Sequence, residues 1–256
     1  MPAAANPSEL AKRRARIAAW RRMQTRILDE ASLSIVCSTD DERRLGMRTD
    51  VAVVPNSYPV PELSVSTPSA EQPVFLFPGS FLYGPNAQGA RWLADDIAPI
   101  LRERLPNARL RLAGKAGPAI EELGVKGLEV AGFVPSMADE LRQASCVIVP
   151  LLAGSGTRIK ILEAFAHRIP VVTTSIGCEG LDIDDGVHAV VADTPAAFAD
   201  ACEHVIAERG LGTSLADAAH SHFRRRFSRE VVMSRIAALA HTIPQNAQHD
   251  NLESNA

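Results

Sequence analysis

The sequence predicts an α/β protein organised around a doubly wound parallel sheet, and three features carry that prediction. Short runs apolar on both faces, among them "VFLF" and "CVIV", alternate with segments of helical periodicity, which is the pattern of strands covered by helices on two sides. Glycine collects just past the ends of those runs, where parallel sheets bind ligands. Hydrophobic residues make up 46% of the 256 residues, enough for a substantial core.

From about Ser8 to Glu30 the pattern is helical. Lys12, Arg13, Arg14, Arg16, Arg21, Arg22 and Arg26 share this stretch with Ile17, Trp20 and Ile27, so it reads either as a solvated face or as a surface touching anionic lipid. "LSIVCST" and "DVAVVPNS" are short β-type runs separated by the charged, helix-like "DDERRLGMR". "SYPVPELSVSTPSAEQP" holds four prolines without periodicity and reads as a linker.

Strand and helix then alternate. "PVFLFPGS", "ARLRLAGK", "LEVAGFV", "SCVIVPL", "IPVVTT" and "HAVVAD" are the expected strands. Between them lie an amphipathic helix "NAQGARWLADDIAPILRERL", a short "PAIEEL", "SMADELRQA" and "TRIKILEAFAH". Three helical segments close the chain, and "TIPQNAQHDNLESNA" is polar enough to be disordered. The expected boundaries are 1–56, a linker 57–73, a ligand-binding domain 74–227, a C-terminal helix 228–242 and a tail 243–256.

A net charge of −3 argues against nucleic-acid binding. The four cysteines form no CxxC pair and share no ligand spacing with the seven histidines, so neither a disulfide framework nor a metal site is expected. Cys146 and Cys202 read as core fillers, and the histidines carry no assigned role. The acidic "LDIDD" around Asp182 reads as a surface turn. No apolar run reaches membrane-spanning length and the N-terminus has no signal-type apolar region, which predicts a cytoplasmic protein, with peripheral contact at the inner membrane face through the basic helix as an option.

The chemistry concentrates in "PLLAGSGTRIKILEAF", 150–165. Gly154 and Gly156 clear side chains from the start of a helix expected near Thr157, where unpaired N–H groups and the helix dipole favour an anion such as a diphosphate. An N-cap by Ser155 or Thr157 is the competing explanation. The loop matches neither the Walker A pattern nor the GxGxxG fingerprint. Glu163 lies roughly 9 Å along the helix from Thr157, suitably placed for ribose hydroxyls. It shares a face with Lys160 and His167, while Ile159, Leu162 and Ala166 are expected to pack inward. A surface Lys160–Glu163 pair is the blander alternative.

Lys160, with Arg158 reaching round from the first turn, would stabilise charge on a departing diphosphate; Lys115 is a weaker third cation. The remaining candidates sit at the carboxyl ends of the other strands: Gly79, Ser80 and Asn86 after the first, Gly114 after the second, Phe133 and Val134 after the third.

"FPGSFLYGPNAQGARWL", "LRLAGK", "LEVAGFV", "ASCVIVPLLAGSGTRIKILEAFAHRIPVVTTSIGCEGL" and "FADACEHVI" together resemble the C-terminal, nucleotide-sugar-binding half of family 4 glycosyltransferases of the GT-B fold. The resemblance runs from roughly Ser34 to Ala240, is strongest from Ser145 to Leu181, and looks nearest to a branch that includes sugar transferases of exopolysaccharide clusters. It implies a Rossmann-like domain and a retaining, metal-independent hexosyl transfer, with no cofactor, from a nucleotide-diphosphate sugar to a glycan or lipid-linked acceptor. Glu163 matches the second glutamate of the family's paired-glutamate motif, whereas the first falls at Ser155. The arginine and lysine that many members carry after the first strand of this half fall at Ser80 and Pro85, and the glycine that usually ends the Glu163 helix at Arg168.

The family's N-terminal half binds the acceptor. Residues 1–56 resemble only that domain's closing elements, so the expectation is a truncated transferase or one served by a separate acceptor-domain chain. A non-catalytic nucleotide-sugar-binding subunit or sensor is the alternative, supported by Ser155, Ser80 and Pro85. An oxidoreductase or isomerase lacks its marks here: there is no GxGxxG after the first strand and no Tyr-x-x-x-Lys pair.

Overall fold

A computed structural model describes residues 7–62, 71–154, 156–208 and 210–241. Ser155, most of the expected linker's second half and the expected tail lie outside the described residues. The chain divides into two compact units, Met1–Val54 with Ala237–Ala256, and Pro55–Ile236.

The smaller unit opens with α1 (Pro7–Glu30), on which Ile17, Trp20, Met23 and Ile27 stand exposed among the arginines. β1 (Ser34–Val36) pairs in parallel with β2 (Val51–Val53), joined by α2 (Thr39–Arg44). The Ser38 hydroxyl caps α2 by accepting from the Asp41 N–H, and acidic residues in the first turn with arginines in the last suit the helix dipole. The Arg48 guanidinium spans Asp50 at 2.9 Å and Asp29 at 3.0 Å, tying the end of α1 to the entry of β2.

In the larger unit come β3 (Val74–Pro78), α3 (Gly84–Trp92) and α4 (Ala98–Arg104), β4 (Arg109–Ala113), α5 (Pro118–Glu121), β5 (Glu129–Gly132) and α6 (Met137–Gln143). There follow β6 (Cys146–Val149), α7 (Ile159–Ala166), β7 (Val171–Thr173), α8 (Ser175–Cys178), β8 (Val190–Val191), α9 (Pro195–Ala207), α10 (Leu211–Arg226) and α11 (Arg229–Ala240), the last of which is counted with this unit only as far as Ile236. All neighbouring strands pair in parallel, in the order β5-β4-β3-β6-β7-β8. The doubly wound class expected from the strand pattern is therefore the one observed, and the chain reverses winding direction between β3 and β6.

β3 and β6 are buried along their whole length, which is why they read as unbroken apolar runs. α4 packs against α9 and α7 against α10, with Trp92 meeting Phe198 edge-on at 5.8 Å. Cys146 and Cys202 are both buried in this core, and burial pushes the Cys146 thiol up to about 12. The exposed Asp182 pairs with Arg226 at a positive-φ turn.

One expected helix is not uniform. Leu93–Ile97 forms a π-turn between α3 and α4, in which the Ala98 N–H reaches back five residues to the Leu93 carbonyl. Pro99 explains it: a proline lacks the N–H and its ring collides with the carbonyl four residues earlier, so a wider turn ahead of it relieves the clash. At the other end of the unit Tyr58, the second residue of the expected linker, donates its N–H to the Phe227 carbonyl at 3.0 Å, and its side chain packs on the core.

Candidate functional site

Where the winding reverses, the loops leaving β3 and β6 must part, and a crevice opens between them. It holds a cavity of about 380 Å³. Pro78, Gly79, Tyr83 and Asn86 line it from β3 and the start of α3, and Met137 from α6. Leu151, Ala153, Gly154 and Thr157 come from the loop after β6, and Arg158, Ile159, Lys160 and Glu163 from the start of α7.

Glycine lets the backbone come this close. A Cβ on Gly79, whose φ is +150°, would stand 2.9 Å from Asn86 Nδ2 and 3.0 Å from Lys160 Nζ. Gly114, at φ +136°, presses on Gly79 from below, and a Cβ there would collide with the Gly79 carbonyl oxygen.

α7 begins at Ile159, two residues later than the sequence suggests, and no side chain caps it; Thr157 does not act as N-cap. Arg158 accounts for the delay. Its backbone is non-helical at ψ 77°, and its guanidinium turns back to donate to the Gly156 carbonyl and, at 3.1 Å, to the Ile176 carbonyl on α8. Arg158 is only 6% exposed, and among the described residues its Nε has no partner, nor does the buried Thr157 hydroxyl.

The inward face of α7 is Ile161, Leu162, Ala164, Phe165 and Ala166. Ile159 does not join it, contrary to expectation: it is 46% exposed and lines the cavity wall instead. Lys160 and Glu163 occupy the partly buried strip facing the cavity.

Lys160 Nζ donates to Asn86 Oδ1 at 2.7 Å and lies 4.6 Å from the centre of the Phe77 ring. Burial, seconded by the charge of Arg158 and opposed by Glu163, pulls its pKa down to about 7. Burial likewise raises the Glu163 carboxyl above the ordinary glutamate range, against the pull of Lys160. The two are near enough to sense each other yet form no ion pair, and no described residue hydrogen-bonds the Glu163 carboxylate. The surface pair weighed against the binding role does not form.

A second layer secures the loop. The Thr174 hydroxyl donates to the Leu151 carbonyl at 2.5 Å and accepts from the Gly177 N–H at 2.9 Å. α8, which supplies the carbonyl bound by Arg158, has no signature in the sequence beyond the Thr174 N-cap.

Seven of the expected residues thus meet at one cavity: Gly79, Asn86, Gly154, Thr157, Arg158, Lys160 and Glu163. Ser80, Gly114, Lys115, Phe133, Val134 and Gly156 do not line it. Ser80 accepts from Asn86 through its carbonyl, Lys115 is exposed, Phe133 is 75% exposed, and Val134 packs on the core. Tyr83, Met137, Leu151 and Ile159 line the wall without having been anticipated; Tyr83 and Met137 stand just past β3 and β5, which is the one signal that would have found them. Among the described residues no group of three or more His, Cys, Asp or Glu is placed to hold a metal ion, and no helix is long and apolar enough to cross a membrane.

Similarity to known proteins agrees with this architecture. A Klebsiella pneumoniae protein described as an uncharacterized 44.6 kDa protein in the cps region is 31% identical over 141 residues, covering 51% of this chain and 36% of that one. Anabaena Alr3699/HepE, solved in complex with UDP and glucose, superposes with a TM-score of 0.70 at 18% identity over 84% of this chain and 64% of its own. S. aureus TarM superposes with a TM-score of 0.72 at 12% identity over 86% of this chain and 45% of its own. The chain thus spans about a third of that curated relative and under two thirds of these solved chains, and the shared fold is that of GT-B glycosyltransferases. The sequence profile of the glycosyl transferases group 1 matches residues 72–208, more than half of the chain, and the chain belongs to that family.

Proposed function

We propose that the cavity between β3 and α7 binds a nucleotide-diphosphate sugar, and that the chain serves retaining, metal-independent transfer of a hexosyl group to a glycan or lipid-linked acceptor. The observation that carries this reading is the division of labour along α7: two cations, the buried Arg158 and the part-buried Lys160, at its start, and one turn on a carboxylate, Glu163, that no described residue hydrogen-bonds. The cations suit a diphosphate and Glu163 suits the ribose hydroxyls. In the transfer the bond from the anomeric carbon to the diphosphate oxygen breaks with its electron pair on the phosphate, where Lys160 and Arg158 offset the charge. The acceptor oxygen bonds to the same carbon on the same face, and its proton passes to the leaving phosphate.

The complexes of HepE with UDP and glucose and of TarM with UDP support a uridine donor. The acceptor would be brought by an acceptor-binding domain, in the same polypeptide or in trans. Membership of family 4 and of its exopolysaccharide branch, a cytoplasmic location, and contact of α1 with anionic lipid through its arginines and exposed Trp20 belong to the same proposal. A non-catalytic nucleotide-sugar-binding subunit is the second reading, favoured by Ser80 and Pro85 where many relatives carry cations.

Calorimetric titration with UDP and GDP tests the donor site. One of them binds, and Glu163→Ala weakens it by more than about tenfold, the loss of a charge-assisted pair of hydrogen bonds. Failure of every nucleoside diphosphate to bind overturns the reading. Binding without sugar turnover in the presence of an acceptor domain selects the non-catalytic one.

A further inference from the structure

Lys160 leaves α7 in its first turn, yet its amine ends on a different element. Nζ meets Asn86 Oδ1 at 2.7 Å, while Asn86 Nδ2 donates to the Ser80 carbonyl at 2.8 Å. The two bonds orient the amide: flipped, its NH₂ would face the ammonium and its oxygen would face the Ser80 carbonyl, leaving two repulsive contacts. Asn86 is 7% exposed, so water does not compete freely for either bond. Helical spacing would otherwise bring Lys160 to Glu163, three residues on the same face.

We propose that Asn86 is the positioning residue of this site: anchored on the Ser80 carbonyl, it draws the Lys160 amine away from Glu163 and holds it at the carboxyl end of β3, where a diphosphate would lie. The cation is thereby delivered to the β3 loop, where Ser80 and Pro85 supply none, and Glu163 is left free for hydroxyls. The role of the diphosphate rests on the donor-site reading above, whereas the hold on Lys160 stands without it. Of the cavity-lining groups, those able to titrate or carry charge near Lys160 are Arg158 and Glu163 from its own end of α7 and Tyr83 from the β3 side; Asn86 and Met137, facing from α3 and α6, are neutral.

The test follows the Lys160 amine directly by ¹⁵N-lysine NMR titration in the wild type, Asn86→Asp and Asn86→Leu, each checked for a cooperative melt. The nearly isosteric Asn86→Asp places a carboxylate beside the amine and raises its midpoint; Asn86→Leu removes the acceptor and lowers it. Asn86→Ser replaces the leucine variant should that one not fold. Midpoints that coincide, or that move the same way in both variants, overturn the proposal. With UDP as probe, Asn86→Leu weakens binding about tenfold in the wild-type background and less than about twofold on Lys160→Met, as for groups acting as a unit. Equal losses in both backgrounds overturn a positioning role. If UDP does not bind the wild type, the donor-site reading fails, and the NMR titration still decides whether Asn86 holds Lys160.

Discussion

Lys160 bonds to Asn86 rather than to Glu163, its neighbour on the same face of α7. A buried amine with a neutral partner is a poor place for a charge, and its pKa falls to about 7. A diphosphate arriving beside it favours the ammonium, so binding takes up a proton wherever the free amine is neutral. UDP affinity therefore holds below about pH 7 and weakens above it, by up to about tenfold per pH unit while the bound form stays protonated. Calorimetry in buffers of different ionisation enthalpy measures the uptake directly at about pH 8. Lys160→Arg abolishes this dependence, because a guanidinium does not titrate in that range; a slope that persists in Lys160→Arg assigns it to another group.

Gly79 in the cavity wall and Gly114 behind it both occupy positive-φ backbone, yet they differ in what a methyl group would strike. At Gly79 the neighbours are the ends of the Asn86 and Lys160 side chains, which can yield. At Gly114 the neighbour is the Gly79 carbonyl, which the parallel pairing of β3 with β4 holds in place. Gly79→Ala is expected to cost about 1–2 kcal/mol, the left-handed penalty, and to loosen UDP binding. Gly114→Ala costs more, about 3 kcal/mol or beyond, through the added overpacking. Chemical denaturation of the two variants ranks them; the reverse order contradicts this geometry.

Much of the larger unit was legible for a physical reason. β3 and β6 are buried on both faces, so their residues carry no polar alternation, and their flanking glycines mark where ligands approach. Lys160 and Glu163 could be placed on one face by spacing alone. What spacing cannot supply is the partner across the crevice. Nothing local to Asn86 indicates that it reaches Lys160, 74 positions away. Nor does any periodicity show that Arg158 would fold back on Gly156 and delay the helix, since that depends on the Ile176 carbonyl arriving from α8. The π-turn before Pro99 was missed too: the apolar periodicity runs on across the proline, and reads as one continuous helix.

Arg168 carries a cost that the family's glycine avoids. It stands at φ +55° just past α7, where the Ile169 N–H bonds the Ala164 carbonyl and the Arg168 N–H bonds the Phe165 carbonyl, a Schellman ending that favours glycine. Its ion pair with Asp217 is exposed on both sides and contributes little. Arg168→Gly should therefore stabilise the domain by about 0.5–1 kcal/mol, the relief of the left-handed strain less the added freedom of the unfolded chain. Thermal and urea unfolding measure it. A loss of stability would mean that the Asp217 contact outweighs the strain.

His220 and His222 lie buried on α10, the first 3.0 Å from the Phe165 carbonyl in the last turn of α7, the second 2.9 Å from the Leu181 carbonyl and with its ring 4.4 Å from that of His188. Burial lowers the pKa of both below the ordinary histidine value of 6.5, outweighing the carbonyl bonds that favour the charged form. In the unfolded chain they protonate first, so the unfolded state binds more protons and stability falls as the pH drops through 6.5 toward the folded values. Glu129, whose carboxyl Arg109 holds below its ordinary 4.5, loses its contribution only at lower pH, so from about pH 7 to about pH 5 the decline belongs to His220 and His222 together with His167, whose pKa burial also lowers, and is opposed by the raised carboxyl of Glu163. The melting temperature should decline across that window, and His220→Gln with His222→Gln should flatten the decline while lowering stability at neutral pH. A decline as steep in the double variant as in the wild type would move the titration elsewhere.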